Sequence, residues 1–126
     1  MDLVERKKQY EAQVRAVYER KDQLLKASRG KKALRPTIDR LAEAWEEMVA
    51  VAYDQDRFSV LAQYCPPDEK GKAKKAFYDD YCAKAGPRIA ALTEQAKQLE
   101  TELAKLSAES KAAELATAAA KASAAP

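Results

Sequence analysis

Apolar residues recur along this chain at alternating steps of three and four, the spacing that puts side chains on one face of an α-helix. The clearest case is Pro87 to Leu106, PRIAALTEQAKQLETELAKL. There Ile89, Leu92, Ala96, Leu99, Leu103 and Leu106 mark an a/d seam held for nearly three heptads. A seam of this kind needs another helix against it, from the same chain or from a second one. Beyond Leu106 it fades, because Ser110, Ala113 and Thr117 take the core positions and only Leu115 is large. The last stretch keeps helix propensity with little to bury, so it is expected to fray on its own.

Upstream, Leu3, Tyr10, Val17 and Leu24 recur every seven residues, reinforced by Val4, Val14, Tyr18 and Leu25. This predicts a first helix from Leu3 to about Ser28. Asp2 with Glu5 three residues on forms a capping box at its start, and Gly30 stands where a helix stop is expected. Pro36 suits the first turn of a second helix, whose face carries Ile38, Leu41, Trp45, Met48 and Ala52, widened by Val49, Val51 and Phe58. That width makes it the most buried element. Asp54-Gln55-Asp56 is a candidate interruption, and Cys65-Pro66-Pro67 ends the helix because the residue before a proline is pushed out of helical geometry. A third helix follows from about Pro67, with Gly71 weakening its first turn. Gly86-Pro87 is expected to close it and to open a fourth, the seam helix. The predicted fold is all-α, with about four helices: a helical hairpin or bundle over 1–86 and a long coiled-coil-like C-terminal helix over 87–126 with an alanine-rich tail.

Composition sharpens this picture. Of the 126 residues, 27 are Ala, whereas Leu, Ile, Val and Phe together number only 21. So small a stock of large apolar residues implies thin, seam-like cores, and the abundance of the best helix former supports an all-helical chain. No run approaches a membrane span and no apolar signal segment opens the chain. The expected location is the cytoplasm, or a particle packaged from it, with no membrane partner.

Charge is segregated. Residues 1–35 carry 11 Lys and Arg against 5 Asp and Glu, whereas residues 36–66 carry 2 against 6. A basic first helix joined by a short turn to an acidic second one predicts an antiparallel hairpin of complementary charge. Arg6 and Arg20 of the first helix are available to glutamates flanking the seam, Glu100 among them. Two basic clusters stand out at predicted turns, Lys26, Arg29, Lys31, Lys32 and Arg35, and then Lys70, Lys72, Lys74 and Lys75. If they converged on one end of a bundle they would suit phosphate contacts. Ordinary solvated turns would have the same composition.

Candidate chemistry is sparse. There is no histidine, so a Ser or Cys nucleophile lacks its usual base. Cys65 and Cys82 match no zinc spacing and are read as two partly buried thiols, with a disulfide between helix ends as the alternative. Neighbouring carboxylates such as Glu46-Glu47 and Asp79-Asp80 point about 100° apart on a helix and do not converge by themselves. We therefore expect no enzyme, no cofactor, no metal and no small-molecule substrate. The aromatics Trp45, Tyr53, Phe58, Tyr64, Phe77 and Tyr81 concentrate over 45–81. They serve either as a core layer or as a docking patch. The leading expectation is a non-enzymatic structural or assembly protein, a homo-oligomer or part of a larger complex, acting through protein–protein contacts of the seam and the aromatics. Small size and alanine-rich helices would suit a bacteriophage virion component or assembly factor. The alternative is a nucleic-acid-binding helical module using the basic turns 26–35 and 70–75.

Overall fold

The computed structural model describes residues 2–29 and 31–124, with side chains through Glu109. Three helices account for it: α1 (Leu3–Ala27), α2 (Arg35–Ala62) and α3 (Glu69–Ala124). The all-α class stands, with three helices where four were expected.

α1 begins as its sequence indicates, with Asp2 Oδ1 accepting the Glu5 backbone N–H at 2.8 Å. At its other end the chain turns through Arg29, which takes the left-handed conformation at φ 51°. Gly30, the expected stop, lies outside the described residues. α2 is uninterrupted. Asp54 and Asp56 do not break it because each carboxylate has a cation in reach. Asp54 pairs with Arg57 at 2.9 Å, and Asp56 with Arg6 of α1. The helix stops at Ala62, before the prolines, and its end tightens as Gln63 and Tyr64 donate to carbonyls three residues back, at 3.1 and 3.2 Å.

Asp68 then starts α3, its Oδ1 accepting from Gly71 N–H at 2.7 Å and its backbone oxygen from Lys72 N–H at 2.9 Å. Gly71 does more than weaken a turn. A Cβ there would overlap the Pro66 carbonyl oxygen and lie 2.7 Å from the carbonyl carbon. The chain can fold this closely into α3 only because residue 71 has no side chain.

The expected break at Gly86-Pro87 is absent. Pro87 lies inside α3, so the 86/87 boundary drawn from sequence falls within one helix. Two physical reasons explain this. A proline disfavours helical geometry in its predecessor by clashing with that residue's Cβ, and Gly86 has none. The packing face also runs through the proline in phase, since Tyr78, Cys82, Ala85, Ile89, Leu92, Ala96 and Leu99 keep the three-four rhythm on both sides. Ala85 is 2% exposed and Leu92 8%, so one helix face is held on either side of the missing bond.

The helices run up, down and up. Arg6 faces Asp56 and Lys21 faces Asp39, which makes α1 and α2 antiparallel. Phe58 meets Phe77 and Glu47 meets Arg88, which makes α2 and α3 antiparallel. α2 lies between the others, and its Leu41, Ala44 and Trp45 form the core with Val17 of α1 and Ala96 and Leu99 of α3. α3 lines a small cavity against the α1–α2 turn with Leu103 and Ser107, then continues as helix to Ala124. At 1.5 Å per residue that adds about 25 Å of helix past Ser107.

Two substitutions test this account. Pro87→Ala should restore a backbone hydrogen bond and raise unfolding stability by up to about 3 kcal/mol; a loss in urea titration would mean that the chain needs the proline to turn. Gly71→Ala should cost about 1–3 kcal/mol by overpacking against Pro66, measured the same way. An unchanged midpoint would contradict the close approach.

Candidate docking surfaces

The structure distributes the sequence-derived candidates over three places: the core, the α2–α3 corner and the α1–α2 turn. The seam falls largely in the core. Leu92, Ala96 and Leu99 are buried, while Ile89, Leu103 and Leu106 are half-buried. α2 supplies the helix that this seam requires, from within the chain.

Trp45 sits at the centre of the same core, 9% exposed. The Arg20 guanidinium of α1 lies 3.8 Å above its ring and reaches Glu100 of α3 at 3.5 Å. One side chain thereby crosses all three helices, and both ion-pair partners are solvent-accessible. Its contribution comes from the stacked plane and stem more than from the charge pair, which at such exposure is worth about 0.2–1 kcal/mol.

Most of the other aromatics are also structural. Tyr53 stacks on Tyr10 with centroids 4.5 Å apart, joining α1 to α2. Phe58 is packed by Phe77, Tyr78 and Tyr81, at 5.9, 5.0 and 4.9 Å, joining α2 to α3. Phe77 nevertheless remains 60% exposed and Tyr64 77%. These two at the α2–α3 corner are the members of the aromatic set that face solvent.

The acidic side chains of α2, Glu43 apart, are engaged by the chain itself. Glu46 accepts from the Tyr18 hydroxyl, Glu47 pairs with Arg88, and Asp39 with Lys21 and Arg35. Glu46 and Glu47 therefore serve different neighbours and share no site. Among the described residues no group of three or more His, Cys, Asp or Glu is placed to hold a metal, and no helix is long and apolar enough to cross a membrane. Cys65 and Cys82 are free thiols that donate to Leu61 O and Gln55 O respectively. Burial, then the nearby Asp79 and Asp56, pushes the Cys82 thiol up.

The two basic clusters do not converge. Lys26 to Arg35 form the α1–α2 turn and Lys70 to Lys75 the first turns of α3, so the length of α2, about 40 Å, separates them. In the second cluster Lys75 is paired with Asp79 at 3.3 Å, and Asp68, Glu69 and Asp80 are close in sequence. The hairpin topology fixes this separation, since successive turns of an up-down-up bundle lie at opposite ends. The sequence pattern contained that signal, because one long helical stretch, α2, lies between the two clusters.

Two phenols supply a pH test. The hydrogen bond from Tyr18 to Glu46, then the carboxylate's charge, holds the Tyr18 hydroxyl above its ordinary 10.0. Burial first, and then Asp54 at 3.4 Å, raises Tyr81. Both keep their protons longer folded than unfolded, so their contribution is intact below about pH 10 and declines as pH rises through the raised values. Tyr18→Phe with Tyr81→Phe should flatten the fall in stability above that pH, followed by circular dichroism. An identical slope would contradict the assignment. Compared with known proteins, the chain matches no family model, no curated protein and no solved structure.

Proposed function

We propose that this chain is a non-enzymatic structural or assembly protein whose working part is the end of α3 that outruns its own bundle. The observation that carries the reading is a mismatch of lengths. α3 has 56 residues, whereas α2, the helix that covers its seam, has 28. A helix of weak core content gains most of its stability from a neighbour, and past Ser107 the α1–α2 hairpin has turned back. The neighbour for the arm is a helix of a second copy or of a larger complex, as for a virion component or an assembly factor. The exposed pair Tyr64 and Phe77 at the opposite corner offers a second contact, of the aromatic kind that concentrates binding energy.

The association surface then lies outward of the seam's centre. Leu99 belongs to the intrachain core, so its substitution by Asp would unfold the bundle before it reported on association. Leu115→Asp, in the arm, is the discriminating change. Light scattering on the purified chain should give a defined multiple of 14.0 kDa that survives high salt. L115D should lower that mass while leaving the bundle folded. A wild-type monomer, or a multimer indifferent to L115D, would overturn the proposal.

A further inference from the structure

Among the described residues, the α1–α2 turn carries strongly one-sided charge. Between Gln23 and Ile38 the chain carries Lys26, Arg29, Lys31, Lys32 and Arg35 and no Asp or Glu. Lys26, Arg29, Lys32 and Arg35 are exposed. Arg35 lies 3.7 Å from Asp39, which it shares with Lys21. Leu25, Ser28, Lys31, Lys32, Arg35 and Pro36 line an open groove of about 390 Å³ against this turn. α2 starts in the same place without a side-chain cap and without an acidic residue in its first turn. α1 and α3 both begin on an aspartate that accepts a backbone N–H. The positive end of the α2 dipole therefore adds to the cations where the other two helix starts are neutralised.

We infer that this end of the bundle binds the phosphate backbone of a nucleic acid through a sequence-independent electrostatic contact. Charge complementarity selects an anion, and three features select this one. The exposed large apolar side chains among the described residues are Val4, Tyr18, Tyr64 and Phe77. None stands in the turn, so nothing there would insert into a lipid surface. A second copy offers this turn little on its acidic helix, because every acid of α2 except Glu43 is engaged within the chain, by Lys21, Arg35, Tyr18, Arg88, Arg57 and Arg6. Repeating phosphates also suit cations spread over a turn and two helix ends better than a single anion does. The Lys70–Lys75 cluster is excluded from the contact by its distance and by its own carboxylates. The inference is independent of the arm's self-association.

The test is fluorescence anisotropy of a labelled short DNA duplex with the full chain. With roughly three to four phosphates neutralised, affinity should fall about 40- to 150-fold between about 50 and 200 mM salt. The triple variant Lys26→Gln, Arg29→Gln, Lys32→Gln should bind at least about tenfold more weakly at low salt, with its helical circular dichroism unchanged. The variant Lys70→Gln, Lys72→Gln, Lys74→Gln should bind within about twofold of wild type. The inference is overturned by no binding at low salt, by affinity indifferent to salt, or by equal losses in the two variants. Tighter binding to phosphatidylserine-containing vesicles than to the duplex would overturn it in favour of a lipid headgroup.

Discussion

The structure depends on the burial of α2 from two sides. The chain has too few large apolar residues to fill a thick core, so burial is concentrated on the one helix that two others can cover. Ile38 and Leu41 are each 1% exposed and Trp45 9%. Each fully buried aliphatic side chain contributes about 1.5–3 kcal/mol. α1 and α3 each need only a narrow stripe to reach this helix, and much of the remaining contact surface is small: Ala44, Ala85 and Ala96 let the backbones come close. The length of α2 therefore sets the length of the bundle, and anything α3 adds past it must find another partner or none.

The same economy shapes the charges. α2 is acidic, and its carboxylates receive Lys21, Arg6 and Tyr18 from α1 and Arg88 and Tyr81 from α3. Individually these exposed pairs are weak. Together they select the antiparallel order of the helices, because reversing either neighbour would leave the acids without partners. Cations are left in excess at the α1–α2 turn, the end from which α3 emerges.

Much of this was legible in the sequence. The a/d positions from Leu92 to Leu99 are the buried face of α3, the start of α1 at Leu3 and the arrival of α2 just before Pro36 are where the caps and proline put them, and the opposed charges of the first two helices anticipated their hairpin. What misled was local chemistry read without its register. Gly86-Pro87 is a strong stop signal in isolation, but Ala85 and Ile89 keep the stripe in phase across it and Gly86 removes the Cβ that the proline would strike. Gly71 looked like a defect because nothing in the sequence places Pro66 against it. The destination of the seam was open for a similar reason: a heptad pattern specifies that a helix must cover it, not which helix, and only the length and breadth of the α2 face decide that. For the aromatics over 45–81 the sequence left a core layer and a patch both open; successive positions face α1, α3 or solvent, so Trp45, Tyr53 and Phe58 pack inward while Tyr64 and Phe77 remain outside.

The central claim is that α3 is one helix through Pro87, laid along α2 and continuing beyond it. Spin labels at Lys75→Cys and Lys105→Cys, with Cys65 and Cys82 replaced by Ser, would measure this directly by pulsed electron resonance. A continuous helix places these positions about 45 Å apart, in a single narrow distribution. A substantially shorter distance, or a broad one, would mean that the chain breaks at the proline, and the account of seam, bundle and arm would fail with it.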